Sequence, residues 1–146
     1  MSGSSVRARP RDCPCFSGLR YAACCAPFHG GERLAPTPEA LMRSRYAAFA
    51  LGLGDYLVRT LTDDHDDRAH EPAHLQRALS DAKNRQRFLG LTIHEATQDG
   101  DRGEVVFTAR IFEKGVDRSF TERSVFRREN GEWRYADGQT LPGRPA

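Results

Sequence analysis

The sequence predicts an α+β domain, helices packed on a curved antiparallel four-stranded sheet, preceded by a small cysteine-bearing module. Three observations carry this. Apolar residues recur at helical spacing between positions 38 and 82, the period switches to two from Phe88 onward, and all four cysteines fall between Cys13 and Cys25. A chain of 146 residues suffices for one core of ordinary size and not for two.

Pro38 suits the first turn of a helix and Thr37 its cap, and Met42, Tyr46, Phe49 and Leu53 recur along one side. Gly52 or Gly54 ends it. Asp55 then caps a shorter helix carrying Tyr56, Leu57 and Leu61, which gives way to the polar run Thr62 to His70. A third helix starts near Pro72, and its narrow stripe of Leu75, Ala78, Leu79 and Ala82 suits shallow packing. Four strands follow, marked by Leu89, Leu91 and Ile93, by Val105 to Ile111, by Phe120 to Phe126, and by Trp133 and Tyr135. Asp99-Gly100, Lys114-Gly115 and Asn130-Gly131 supply the turns of a meander. A two-residue loop at Asn130-Gly131 sets Glu129 opposite Glu132, Arg128 opposite Trp133 and Phe126 opposite Tyr135. One face of the sheet then gathers Phe120, Glu122, Ser124, Phe126, Trp133 and Tyr135, and the helices cover it.

Hydrophobic residues make up 38% and charged residues 29%, and no apolar run reaches the ~18 residues of a membrane span. The N-terminus lacks a signal peptide's apolar stretch, so the expectation is a cytoplasmic chain without membrane insertion. A formal charge of +2 gives no drive toward DNA. Its distribution is uneven: Met1 to Ala35 carries five Arg against two acids, so the basic excess belongs to the cysteine-bearing end. The expected organisation is a disordered leader over 1–11, a metal module over 12–30, a connection over 31–37, the main domain over 38–140 and a flexible tail over 141–146.

Cys13-Pro14-Cys15 and Cys24-Cys25 lie in a segment too poor in aliphatic side chains to hold a core of its own. Disulfides fit poorly, because adjacent cysteines do not bridge without distorting the backbone and cytosolic thiols stay reduced. Four thiolates around one structural Zn²⁺ meet the same constraint without that distortion. Gly18 lets the chain reverse between the ligand pairs, and Arg11 and Arg20 are placed to offset the negative charge of four sulfurs. His29, four residues beyond Cys25, is a rival fourth ligand. No Cys-x-x-Cys pair or fixed partnering His argues for redox or nucleophilic use of the thiols.

The run Cys13-Pro14-Cys15-Phe16-Ser17-Gly18-Leu19-Arg20-Tyr21-Ala22-Ala23-Cys24-Cys25 resembles the SEC-C zinc motif found at the C-terminus of the SecA translocation ATPase. Its four ligand positions match Cys13, Cys15, Cys24 and Cys25, and its turn and packing positions match Ser17, Gly18 and Tyr21. Phe16 stands where that motif usually has Gly, and Ala22-Ala23 replace its usual basic residues. Further on, Thr37-Pro38 through Phe49, Gly54-Asp55-Tyr56-Leu57, and Glu122 through Gly138 are similar to the YchJ family of small bacterial proteins. The resemblance implies a SEC-C segment joined to a nuclear-transport-factor-2-like domain, a cone of helices against a curved sheet. The second cysteine motif that some members carry at the C-terminus is missing from this sequence.

Two charges sit among apolar positions. Arg45 lies beside the stripe of the first helix and Glu122 between Phe120 and Ser124 on the inner sheet face, and either alone would be costly to bury. The expectation is an Arg45–Glu122 pair across the helix–sheet interface. In a functional reading, Arg45, Tyr46, Glu122, Ser124 and Trp133 line a cavity in the cone. Asp63 to Asp67, with His70 and His74 behind it, reads as an exposed acidic loop, since it lacks the ligand spacing of a calcium loop. Arg123, Arg127 and Arg134 recur on the outer sheet face without the interleaved aromatics of an RNA platform.

The leading functional expectation is a zinc-stabilised cytoplasmic adaptor of the YchJ type whose metal module docks a protein or ribosomal partner. The alternative is a ligand-binding protein or enzyme that takes a small molecule into the cone cavity, with Glu122 or Asp55 as base.

Overall fold

The computed structural model describes residues 12–142, so the expected leader over 1–11 and the last residues of the expected tail lie outside it. Within the cysteine segment, the backbones of Asp12 and Arg20 pair in an isolated bridge, and a single 3₁₀ turn spans Tyr21–Ala23. The one-turn helix α1 (Ala26–His29) follows, within the span expected for the metal module.

Helix α2 (Pro38–Leu51) starts as its sequence requires. The Thr37 hydroxyl accepts from the Ala40 amide at 3.1 Å, and Gly52 ends the helix in the left-handed region at φ 75°. Helix α3 (Gly54–Arg59) begins two residues earlier than predicted, so Asp55 lies in its first turn and caps nothing with its side chain. A 3₁₀ turn over Asp66–Ala69 leads to α4 (Pro72–Ser80) and α5 (Ala82–Arg85). Gly54 lies against the Gln76 carbonyl, at a distance that leaves no room for a methyl group.

The sheet comprises β1 (Arg87–Asp99), β2 (Arg102–Glu113), the two-residue β3 (Val116–Asp117), β4 (Phe120–Glu129) and β5 (Glu132–Thr140). The four long strands run in the predicted antiparallel meander, and β3 is an additional short strand paired to the end of β2. At the Asn130-Gly131 turn the predicted opposite pairs all form: Glu129 with Glu132, Arg128 with Trp133, and Phe126 with Tyr135. Two of the three register irregularities shape the core face. A bulge between Phe88 and Gly90 makes Leu89 the extra residue, so Leu89 is exposed while Phe88 packs inward; the alternating pattern assigned Leu89 to the core. The Tyr46 hydroxyl holds this bulge, donating to the Gly90 carbonyl at 2.8 Å and accepting from the Gly90 amide at 3.2 Å. A second bulge between Val125 and Phe126 bends β4 and β5, and Thr60 to Thr62 pairs with Tyr135 at that edge.

The core lies between α2, α3 and the concave sheet face and includes Leu41, Leu57, Leu91, Val105, Phe107 and Phe126. On the convex face the arginines are paired. Arg123 meets Glu104, Arg127 meets Asp64 and Glu129, and Arg134 meets Asp63, Glu129 and Glu132. The acidic run thus folds partly back onto the arginine-bearing strands, in solvent-screened pairs that add little to stability. Gly54→Ala is expected to destabilise the fold by about 1–3 kcal/mol, because the added carbon forces α3 and α4 apart; urea denaturation measures it.

Candidate functional site

Two sites share helix α2. The first is the cysteine cluster. Phe16 at φ 63° and Gly18 at φ 87° turn the chain between the ligand pairs, with Cys13 N–H donating to the Leu19 carbonyl at 2.8 Å. The left-handed conformation at position 16 explains why Gly usually stands there: a side chain costs on the order of 1–2 kcal/mol. The four sulfurs all lie within 4.8 Å of one another, with Cys15–Cys24 at 3.6 Å and Cys24–Cys25 at 3.9 Å. A tetrahedron with metal–sulfur bonds of ~2.3 Å has edges of about 3.8 Å, so the donors fit a single ion. All four cysteines are free, and three are buried.

The electrostatics point the same way. Hydrogen bonds from Cys13 and Cys25, joined by Ser17 and Cys24, hold the Cys15 thiol far below its ordinary range. Sharing that bond pushes Cys13 up to about 12, and Cys25, bonded to Cys13 and Cys15 and buried, is raised further. Negative charge is therefore favoured on Cys15 over Cys13 and Cys25, and a cation among the sulfurs would favour ionising those two as well.

His29 stands outside this set. Its Nε2 lies 2.8 Å from the Ser44 carbonyl and its Nδ1 2.7 Å from the Tyr21 hydroxyl. A carbonyl only accepts, so Nε2 carries the proton; burial lowers the imidazole pKa, which keeps the ring neutral and leaves Nδ1 to accept from Tyr21. The residue proposed as a rival ligand instead ties the module to α2. Arg43 adds a second tie, donating to the Cys15 carbonyl at 3.1 Å. Of the two arginines expected beside the cluster, Arg20 is exposed and Arg11 lies outside the described residues; Arg43 holds that place, brought there by the packing of α2.

The second site is a cavity of about 310 Å³ between α2 and the sheet. Met42, Phe49, Phe88, Phe107, Ile111 and Phe120 give it apolar walls, and Arg45, Tyr46, Glu122, Ser124, Asp67 and Tyr135 also line it. Arg45 and Glu122 form no ion pair. Arg45 Nη1 donates to the Leu57 carbonyl at 2.8 Å and to Thr60 Oγ1 at 2.6 Å, and its guanidinium lies 4.7 Å over the Tyr135 ring. Glu122 Oε2 accepts from Ser124 Oγ at 2.5 Å and from the Tyr135 hydroxyl at 3.0 Å. Tyr135 thus stands between the two charges, one on its face and one on its hydroxyl. Burial lowers Arg45 to about 10, which leaves it charged at neutral pH. Burial and the neighbouring Glu122 raise the Tyr135 pKa, so it stays a protonated donor.

Trp133 does not line this cavity. It shares the inner face with Tyr135 but lies two residues further along β5, packed under Phe28, Ala35 and Tyr56, with Arg128 4.7 Å over its ring. Asp55, the other base considered, is exposed on α3 beside Gln76 and Asp81, away from the cavity. Sequence reading missed three contributors: Thr60, Asp67 and Gly138. Gly138 lies opposite Ser124, and a Cβ there would strike both Glu122 Oε2 and the Tyr135 hydroxyl.

Comparison with known proteins decides the family. Residues 37–138 match the model for the YchJ middle NTF2-like domain. The chain belongs to the YchJ family. A UPF0225 protein of Deinococcus radiodurans is 50% identical over 130 residues, covering 87% of this chain and 88% of the relative. The UPF0225 protein YchJ of Shigella dysenteriae is 43% identical over 128 residues, covering 86% and 81%. Among solved structures, the SEC-C motif containing protein RPA3114 of Rhodopseudomonas palustris superposes with a TM-score of 0.77 at 38% identity, covering 89% of this chain and 98% of that one. The nuclear-transport-factor-2-like fold and the SEC-C identity of the cysteine module follow.

Native mass spectrometry is expected to find one bound metal ion per chain, lost in Cys15→Ser and retained in His29→Ala. The His29 variant is expected to unfold about 1–3 kcal/mol more easily, through the unpaired Ser44 carbonyl and Tyr21 hydroxyl.

Proposed function

We propose that this YchJ protein binds a small molecule in its cone cavity and that one structural Zn²⁺ on Cys13, Cys15, Cys24 and Cys25 braces the helix forming one cavity wall. The supporting observation is the missing ion pair. Arg45 and Glu122 are held apart by Tyr135 at an apolar cavity of about 310 Å³, at the small end of the ~300–1,000 Å³ range of ligand pockets. A direct pair would have neutralised both charges and used up the hydrogen-bonding groups they keep for the cavity. Zinc suits four thiolates in a tetrahedron, and with sulfur filling every position it serves structure. Free, buried thiols also agree with a reducing, cytoplasmic setting.

Ala109 lies in the cavity wall. Ala109→Leu is expected to reduce binding of an uncharged environment-sensitive naphthalene dye at least tenfold while retaining the folded circular dichroism spectrum. Equal saturable binding by both proteins would place the dye elsewhere and sink the reading.

A second reading, docking of a protein or ribosomal partner through the metal module, is favoured by one observation. Phe16 and Leu19, on the turn between the ligand pairs, are 47% and 55% exposed. The double variant Phe16→Ser, Leu19→Ser should keep its metal yet lose co-sedimentation with ribosomes; unchanged co-sedimentation, or none by the native chain, removes the ribosomal case.

A further inference from the structure

The polar end of the cavity carries a more specific message than its volume. Arg45 is only 6% exposed. Its Nη1 is fully engaged, whereas its Nε and Nη2 have no hydrogen-bond partner among the described residues. Neither is sealed away, since the unpartnered polar atoms cut off from all open space are Trp133 Nε1 and Arg134 Nε. The remaining Arg45 donors therefore open onto the cavity that the residue lines. Glu122 mirrors this. Its Oε2 takes both hydroxyl donors, and its Oε1 accepts from nothing among the described residues. One charged donor and one charged acceptor are thus left unfilled on either side of the Tyr135 side chain.

The charged lining of the cavity balances, with Arg45 and Arg118 set against Glu122 and Asp67. The Arg45 guanidinium has no carboxylate within ion-pair distance among the described residues, and Glu122 and Asp67 act on it only through space. A ligand carrying its own anion would gain Arg45 but crowd the Glu122 carboxylate, and a ligand cation would gain Glu122 but crowd Arg45. A neutral group with an acceptor on one atom and a donor on a neighbouring one fills both vacancies without disturbing the balance. The strand register sets the rest of the shape. Phe120 and Glu122 follow one another along β4, opposite Ala109 and Phe107 of β2, so the polar end continues into a wall of aromatic and aliphatic side chains.

We infer that the cavity selects an uncharged molecule with a flat apolar body and a terminal group that both accepts and donates, of the primary carboxamide or hydroxy-carbonyl class, with its acceptor on Arg45 and its donor on Glu122. This rests on the ligand-binding reading above and adds the ligand's chemistry to it. Four probes sharing one body test it: 2-naphthamide, 2-naphthoate, 2-naphthylmethylammonium and 2-methylnaphthalene, titrated into the full chain at neutral pH by calorimetry. The expected result is that the carboxamide binds tightest, by tenfold or more over each charged probe and over the hydrocarbon. In E122Q the repulsion of an anion is gone, so naphthoate should gain at least tenfold. A charged probe or the hydrocarbon equalling the carboxamide in the native chain overturns this inference and leaves the cavity as a ligand site. So does a folded E122Q protein with an unchanged naphthoate affinity. Absence of saturable binding by all four overturns both. The native ranking decides by itself if E122Q does not fold.

Discussion

Helix α2 is the constraint on which both sites depend. Its Ser44 carbonyl accepts from His29 Nε2–H, Arg43 reaches the Cys15 carbonyl and Ala47 packs against the cysteines, while Met42, Arg45 and Phe49 line the cavity. A single rigid rod cannot rotate to improve one face without spoiling the other. The register of α2 is fixed further from the sheet, because Tyr46 closes on Gly90, and from α3, because Tyr56 donates to Ser44 Oγ, which itself donates to the Leu41 carbonyl. The cysteine module and the cavity therefore meet on one stretch of helix, from Arg43 to Ala47.

How much of this was legible in the sequence follows from how local each signal is. The cap at Thr37, the stop at Gly52, the turn at Asn130-Gly131 and the cross-strand pairs beyond it depend on adjacent residues and a fixed period, and they form as read. The cysteine cluster was legible because all four thiols fall between Cys13 and Cys25 in a segment without a core of its own, and because that run resembles the SEC-C motif. Leu89 was misplaced because a bulge changes the alternation without altering composition. Trp133 was misplaced because periodicity gives the face of a strand and not the distance along it.

Arg45 and Glu122 show the same limit at the candidate site. Each was recognisable as a charge in an apolar setting that needed partners, and the simplest partner for each was the other. The partners they have are neutral: a carbonyl, hydroxyls and an aromatic face contributed by α3, the Thr60 segment, β4 and β5. Dipoles from distant parts of the chain leave no spacing pattern, so only the folded arrangement reveals that they suffice. Stabilising each charge separately keeps the remaining donors and acceptor free, whereas a direct salt bridge would consume them.

Gly138 has a use beyond this molecule. Its missing side chain is the space into which the carboxylate of Glu122 and the phenol of Tyr135 converge, and its backbone does not otherwise demand glycine. In any sequence sharing this architecture, that one position is a diagnostic letter. Glycine there is compatible with an intact acid–phenol contact, and a larger residue would force the carboxylate and the phenol to move.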